Sequence, residues 1–181
     1  EDGTLIRKSP LQKEQAKLLD VLYYSPGSGF TMVFNECARQ KLVLQCRPGP
    51  ELHDRWLLRG AACFGKAIYD NRSSAAHIRH PEAVTAGDSD DRSLILHFIK
   101  NELCGDDIKR DKAALQYFYG LFQTELSAEE RKLLKLFAGR KNTPVSWLKK
   151  VCYPHRLRRR LSGELALRLL FFVGKVQVKE R

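Results

Sequence analysis

Acidic side chains are scarce at one end of this chain. Residues 131–181 hold only two, Glu164 and Glu180, against fifteen Lys or Arg, a local net charge of +13. The whole 181-residue chain carries +11, so residues 1–130 sum to −2. Charge segregated in this way attracts polyanions and steers their approach, and says nothing about fold. Nucleic acid, an anionic membrane surface and an acidic protein are the partners it admits.

Other absences narrow the field. No run of eighteen apolar residues is present and the first residues lack a signal-peptide pattern, so no transmembrane segment is expected. Five cysteines (37, 46, 63, 104 and 152) have no paired spacing and an odd count, unlike a disulfide framework. A reducing compartment is the expected setting, nuclear or cytoplasmic, or a host cell if the chain is a secreted effector. There is no P-loop, no GxSxG and no GxGxxG after a strand, so nucleotide hydrolysis and hydride transfer have no support and no cofactor is expected. The first residue is Glu1, and the chain is expected to be one part of a larger protein or complex.

With 43% hydrophobic residues the chain has enough apolar material for one domain with a core, or a body with a small appended module. The expected fold class is α+β and α-rich. Residues 1–72 read as a helix and a short sheet, 73–92 as a loop or linker ending in Asp88, Asp90 and Asp91, and 93–181 as a helical half; one continuous domain is the alternative division. Leu11, Leu18, Leu19 and Leu22 suggest an amphipathic helix over 10–24, stopped by SPGSG. Phe30, Met32 and Phe34 alternate with Thr31 and Val33, and 42–46 is a second short apolar run. These read as two strands, with a helical turn through NECARQK as the alternative. Gly60 and Gly65 argue against a regular helix after Trp56, since each costs on the order of 1 kcal/mol in a helix interior.

The second half is patterned for helices. They are predicted over 93–104, over 107–124 with acids in its first turn, and over 127–138, where Ser127 and Glu130 have capping-box spacing and Gly139 closes the helix. Thr143 and Pro144 open another that runs to Cys152. A further helix is expected from near His155, with Leu157, Leu161, Leu165 and Leu169 along one side and Arg156, Arg159 and Arg160 on the opposite arc. LLFFV, Gly174-Lys175 and VQVKE then read as a hairpin.

Three helices and a hairpin over residues 127–181, with SWLKKV followed by LALRLLFFVGKVQV, resemble a winged helix, and more weakly its DEP-type variant. That resemblance implies a third helix for the major groove, carrying Arg156, Arg159 and Arg160, and a wing near the backbone carrying Lys175. Nucleic-acid binding without catalysis, to DNA or RNA, is the leading expectation. The contact residues would be Arg140, Lys141, Lys149, Lys150, Arg156, Arg159, Arg160 and Lys175, because Lys and Arg neutralise phosphates and arginine forks read guanine edges. The alternative is a protein-interaction or effector module that docks an acidic partner through the same face. A third class is an enzyme acting on a phosphodiester or through Cys and His.

The remaining candidates have plainer readings. Trp147 is expected in the core, and Tyr153 either in the core or stacked on a base. His53-Asp54-Arg55 resembles the HDR triplet of degenerate phospholipase-D-like domains. The working enzymes carry Lys two positions after the histidine where Arg55 stands here, so a turn histidine followed by a capping Asp54 is expected. His77 with His80, and Cys152 with His155, lack a second ligand pair at zinc-finger spacing, and no metal is expected. Asp106 and Asp107, like Asp88 to Asp91, are expected to be solvated loop acids and not Mg²⁺ ligands.

Overall fold

The computed structural model describes residues 11–12, 15–45, 49–72, 75, 105–139 and 143–173. Among them are six α-helices and one two-stranded antiparallel sheet, an α-rich α+β arrangement. The strands are β1, Gln15–Ala16, and β2, Ala67–Ile68, paired Gln15 to Ile68 and Ala16 to Ala67. The helices are α1 (Glu36–Arg39), α2 (His53–Phe64), α3 (Asp107–Phe122), α4 (Ala128–Ala138), α5 (Pro144–Val151) and α6 (Leu161–Phe172). No helix among the described residues is long and apolar enough to cross a membrane.

The N-terminal third departs from its expected form. Residues 15–24 make a short strand and a 3₁₀ turn, Leu18–Val21, in place of a helix. The turn is closed by the Lys17 amide, which donates to Asp20 Oδ2 at 3.0 Å. Leu18 is buried, as are the three consecutive residues Val21, Leu22 and Tyr23, a run that one face of a helix could not hide.

The strands expected over 30–34 and 42–46 are likewise absent among the described residues, which in the second run reach Gln45. Phe30 and Val33 face solvent. Gly29–Thr31 is a 3₁₀ turn, and Asn35 caps α1 by accepting the Ala38 amide at 2.9 Å, so the helical alternative through NECARQK holds. The chain then widens into a π turn, Gln40–Leu44, that buries Leu42. Widened turns of this kind reshape a helix locally. Here the Leu42 carbonyl accepts the indole N–H of the fully buried Trp56 at 2.7 Å.

Trp56 sits on α2, which runs without a break through Gly60. A Cβ at Gly60 would lie 2.4 Å from Leu42 Cδ2 and 3.0 Å from its Cγ, so the glycine is what lets the π turn approach the helix. Propensity alone misjudged this position, because close packing outweighs about 1 kcal/mol of helix preference.

The ring of Trp56 meets Phe118 edge-on at 5.5 Å and Phe122 at 5.9 Å, both on α3, and Phe64 packs on Phe122 at 4.9 Å. A second group of rings joins the two ends of the chain. Tyr23 lies 6.0 Å from Phe137 and 5.7 Å from Phe171, and Tyr153 lies 5.2 Å from Phe137. Both groups belong to one continuous apolar core. A buried ion pair between Arg59 and Glu51 lies within the fold, and Arg59 also donates to the Leu22 carbonyl at 3.5 Å. Burial, acting against the neighbouring guanidinium, holds the Glu51 carboxyl above its usual value.

The helical half follows its local signals closely. Ser127 accepts the Glu130 amide while Glu130 accepts the Ser127 amide at 2.9 Å, completing the capping box, and Gly139 ends α4. Thr143 Oγ1 accepts the Ser146 amide ahead of Pro144. Two expectations fail at the end of the chain. The last helix starts at Leu161 and not near His155, and 169–172 are helical where the first strand of a hairpin was expected. The rest of that hairpin, the helix expected over 93–104, most of the 73–92 loop, and Arg140, Lys141 and Lys175 lie outside the described residues.

Gly60→Ala is expected to lower the unfolding free energy by about 1–2 kcal/mol in urea, because the clash with Leu42 exceeds the helix gain. Gly120→Ala, on α3 with nothing within 4 Å of the new Cβ, should instead raise it by up to about 1 kcal/mol.

Candidate nucleic-acid interface

The basic run leaves α5 as an irregular segment, and one ion pair on α6 shapes it. Glu164, in the first turn of α6, is buried, and its Oε2 accepts the backbone amides of Leu157 and Arg158, each at 2.8 Å. Its Oε1 meets Arg168, one turn on, at 2.6–2.7 Å. Arg168 then reaches across to α5, donating to the carbonyls of Lys150 at 2.8 Å and Val151 at 3.0 Å, and to that of His155 at 2.8 Å. A cation at the C-terminal end of α5 also meets the negative end of that helix dipole.

This tie fixes the backbone from 150 to 160. Leu157 turns into the core, while Arg156, Arg159 and Arg160 are exposed and Arg158 is half-buried. Of the expected site residues, Arg156, Arg159 and Arg160 lie on a tethered segment ahead of α6 and not along a helix, and Arg156 and Arg159 line one cleft. Lys149, on α5, is exposed. Lys150 departs from expectation: it is only 3% exposed, turned inward and not displayed to a phosphate. Burial, with Lys112 nearby adding to it, brings its ammonium down to about 8.

Against the tethered segment lies a cleft of about 340 Å³. Its apolar lining is Leu11, Ala16, Pro26 and Leu157, and Arg156, Arg158 and Arg159 line it as well. Arg159 donates to Gln12 Oε1 at 3.1 Å, and Gln12 Nε2 donates to the Pro26 carbonyl at 3.4 Å and to Tyr24 Oη at 3.5 Å. Gln12 is held in turn by Asn71, whose Oδ1 accepts its amide at 2.8 Å and whose Nδ2 donates to its carbonyl at 3.1 Å. Tyr69 also lines the cleft, with its hydroxyl closed to solvent and without a hydrogen-bond partner. Burial, and Tyr24 and Asp20 close by, push that phenol up to about 12. Charge counting flagged the arginines, but no sequence signal pointed to Gln12, Tyr24 or Tyr69, which come together only through the fold.

The remaining candidates take structural places. Trp147 is half-buried, its indole donating to the Phe172 carbonyl at 3.2 Å. Tyr153 packs on Phe137. Asp54 Oδ1 accepts the Arg55 amide, and Arg55 pairs with Asp111. Asp106 pairs with Lys109 and Asp107 with Arg110, each within one turn. Burial, followed by Glu130 alongside, pushes the Cys63 thiol well above its usual value. Among the described residues no three potential metal ligands converge; His77, His80 and Cys104 lie outside them. Compared with family models, curated proteins and solved structures, the chain matches none.

Because Lys150 gives up its proton more readily folded than unfolded, its contribution to stability is lowest below about pH 8 and rises as pH climbs towards the ordinary lysine value of 10.5. The difference in unfolding free energy between Lys150→Met and the parent should therefore shrink, by about 2–3 kcal/mol, between pH 7.5 and 10.5. Urea titrations of both proteins across that range check this.

Proposed function

We propose that the chain is a non-enzymatic nucleic-acid-binding module whose contact surface is the tethered segment between α5 and α6. The observation that carries this reading is uncompensated charge. Residues 143–173 contain seven Lys or Arg and one acid, and that acid, Glu164, is buried and engaged by Arg168 and two amides. Among the described residues no carboxylate pairs with Lys149, Arg156, Arg159 or Arg160, so these side chains are open to an external anion. Phosphates serve, since each neutralised phosphate releases counterions. Arg140, Lys141 and Lys175 join the proposed contact set on charge alone. The winged-helix comparison is kept for the order α4, α5, α6. In it the arginines approach the nucleic acid from the loop at the N-terminal end of α6, where helix amides also favour phosphate.

A second reading has its own observation. Leu161, Leu165, Leu169 and Phe172 run along α6 with roughly half of each side chain exposed, and Leu148 and Val145 on the adjoining α5 are exposed too. A contiguous apolar surface rimmed by bases suits an acidic protein partner.

For the first reading, binding to short duplex DNA, duplex RNA and single strands is measured against salt. Arg156→Ala/Arg159→Ala/Arg160→Ala is expected to reduce the slope of log K against log salt by about 2–3. Absence of binding to every nucleic acid at low salt overturns it. For the second, Leu165→Gln/Leu169→Gln should change the unfolding free energy by under about 1 kcal/mol and leave that salt slope intact, because exposed sites contribute little to stability. A loss of several kcal/mol in urea would show that these leucines serve the fold and not a partner.

A further inference from the structure

We infer that the cleft beside the tethered arginines is a subsite for one nucleoside monophosphate unit, either free or at the end of a strand. The inference rests on the nucleic-acid reading and gives its surface a specific pocket.

Four features of the cleft define the ligand. Arg156, Arg158 and Arg159 line one small volume, where the bond to Gln12 places the Arg159 guanidinium, and arginine forks match the oxygens of a phosphate. Asp20 also lines it. A carboxylate there, its Oδ2 already taken up by the Lys17 amide, opposes a ligand that is anionic throughout, such as a polyphosphate. Tyr24 and Tyr69 supply aromatic surface among the apolar lining, the kind of platform on which a base stacks. The volume, about 340 Å³, is at the low end for small-molecule sites, which suits a single nucleotide and excludes a stretch of helix.

The cleft is also built and held. Gln12 ties Arg159 to Pro26 and Tyr24, and Asn71 clamps the backbone of Gln12 from the segment after β2. Arg158 and Arg159 directly follow Leu157, whose amide Glu164 holds, so the phosphate end of the site is fixed by the same carboxylate that shapes the loop.

Calorimetric titration of the full chain tests this with AMP, GMP, CMP and UMP, the matching nucleosides and inorganic phosphate. One-site binding of at least one monophosphate is expected, about tenfold or more tighter than its nucleoside or phosphate alone. Leu11→Trp, an exposed position on the cleft lining, should fill the space and weaken monophosphate binding at least about tenfold while leaving the salt slope for polymer unchanged. Arg159→Gln is the second variant and should weaken it similarly.

Polymer binding with a normal salt slope but no monophosphate binding overturns the cleft and spares the surface reading. Monophosphate binding that both variants leave untouched also overturns it. Monophosphate binding without polymer binding supports the cleft and sinks the broader reading. An octamer with a 5′-phosphate bound more tightly than its 5′-hydroxyl twin assigns the site to strand ends. Equal binding of the two, with undiminished monophosphate affinity, assigns it to free nucleotide.

Discussion

A single buried carboxylate holds the basic end of this protein in shape. Glu164 accepts two backbone amides with one oxygen and the Arg168 guanidinium with the other, and Arg168 extends the tie to three carbonyls of α5 and the loop. A carboxylate this buried is tolerable only because its lone pairs are filled and its charge is matched. Removing one member of such a pair costs about 3–5 kcal/mol, most of it from the charge left behind. The pair therefore acts as a rivet between α5, the loop and α6. It also has an electrostatic effect, since it withdraws the one acid in this region from its surface.

What the rivet fixes locally, the aromatic core connects to the rest. Tyr23 from the N-terminal segment touches Phe137 of α4 and Phe171 of α6, and Leu157 of the loop is buried in the same core. Gln12, Ala16, Tyr24 and Pro26 are thereby brought against the arginines, with Gln12 bonded to Arg159 across 147 positions of sequence. The cleft is a product of that closure. Its geometry rests on the core beneath it as much as on the groups that line it.

The parts of the fold legible in the sequence were those whose information is local. The capping box at Ser127 and Glu130, the Thr143-Pro144 entry and the Gly139 stop each sit within four residues of the feature they predict. What failed depends on distant partners. Leu11, Leu18, Leu19 and Leu22 looked helical by spacing, but β1 pairs with β2 about fifty residues away, and the consecutive burial of Val21 to Tyr23 needs an irregular path. The last helix misled for another reason. Its buried face is Glu164, Leu167, Leu170 and Phe171, with Arg168 mostly covered, so a charged pair lies where apolarity would be sought. The leucines four apart at 161, 165 and 169, which looked like the core stripe, face outward. The charge of the site was legible because composition alone records it. Its pocket was not, because no sequence rule places Gln12 and Tyr69 beside Arg159.

The three arginines at the cleft work under two electrostatic conditions. On the open surface, at physiological ionic strength, interactions between exposed charges fade over about 8 Å, so each contact is weak and affinity accumulates only by neutralising several phosphates at once. Inside a cleft with apolar lining the same guanidinium groups are less screened, and one well-placed phosphate gains more from them. Arg160, outside the cleft lining, belongs wholly to the first condition, while Arg158, half-buried, belongs mainly to the second. Arg156 and Arg159 are exposed and also line the cleft, so they serve both. On the proposed nucleic-acid reading, a strand tracking along the loop would thus meet graded attraction, diffuse at Arg160 and concentrated where its end or a splayed nucleotide reaches Gln12. The tether from Glu164 is what makes that gradient a fixed property of the fold: a free loop with the same charges would average it away.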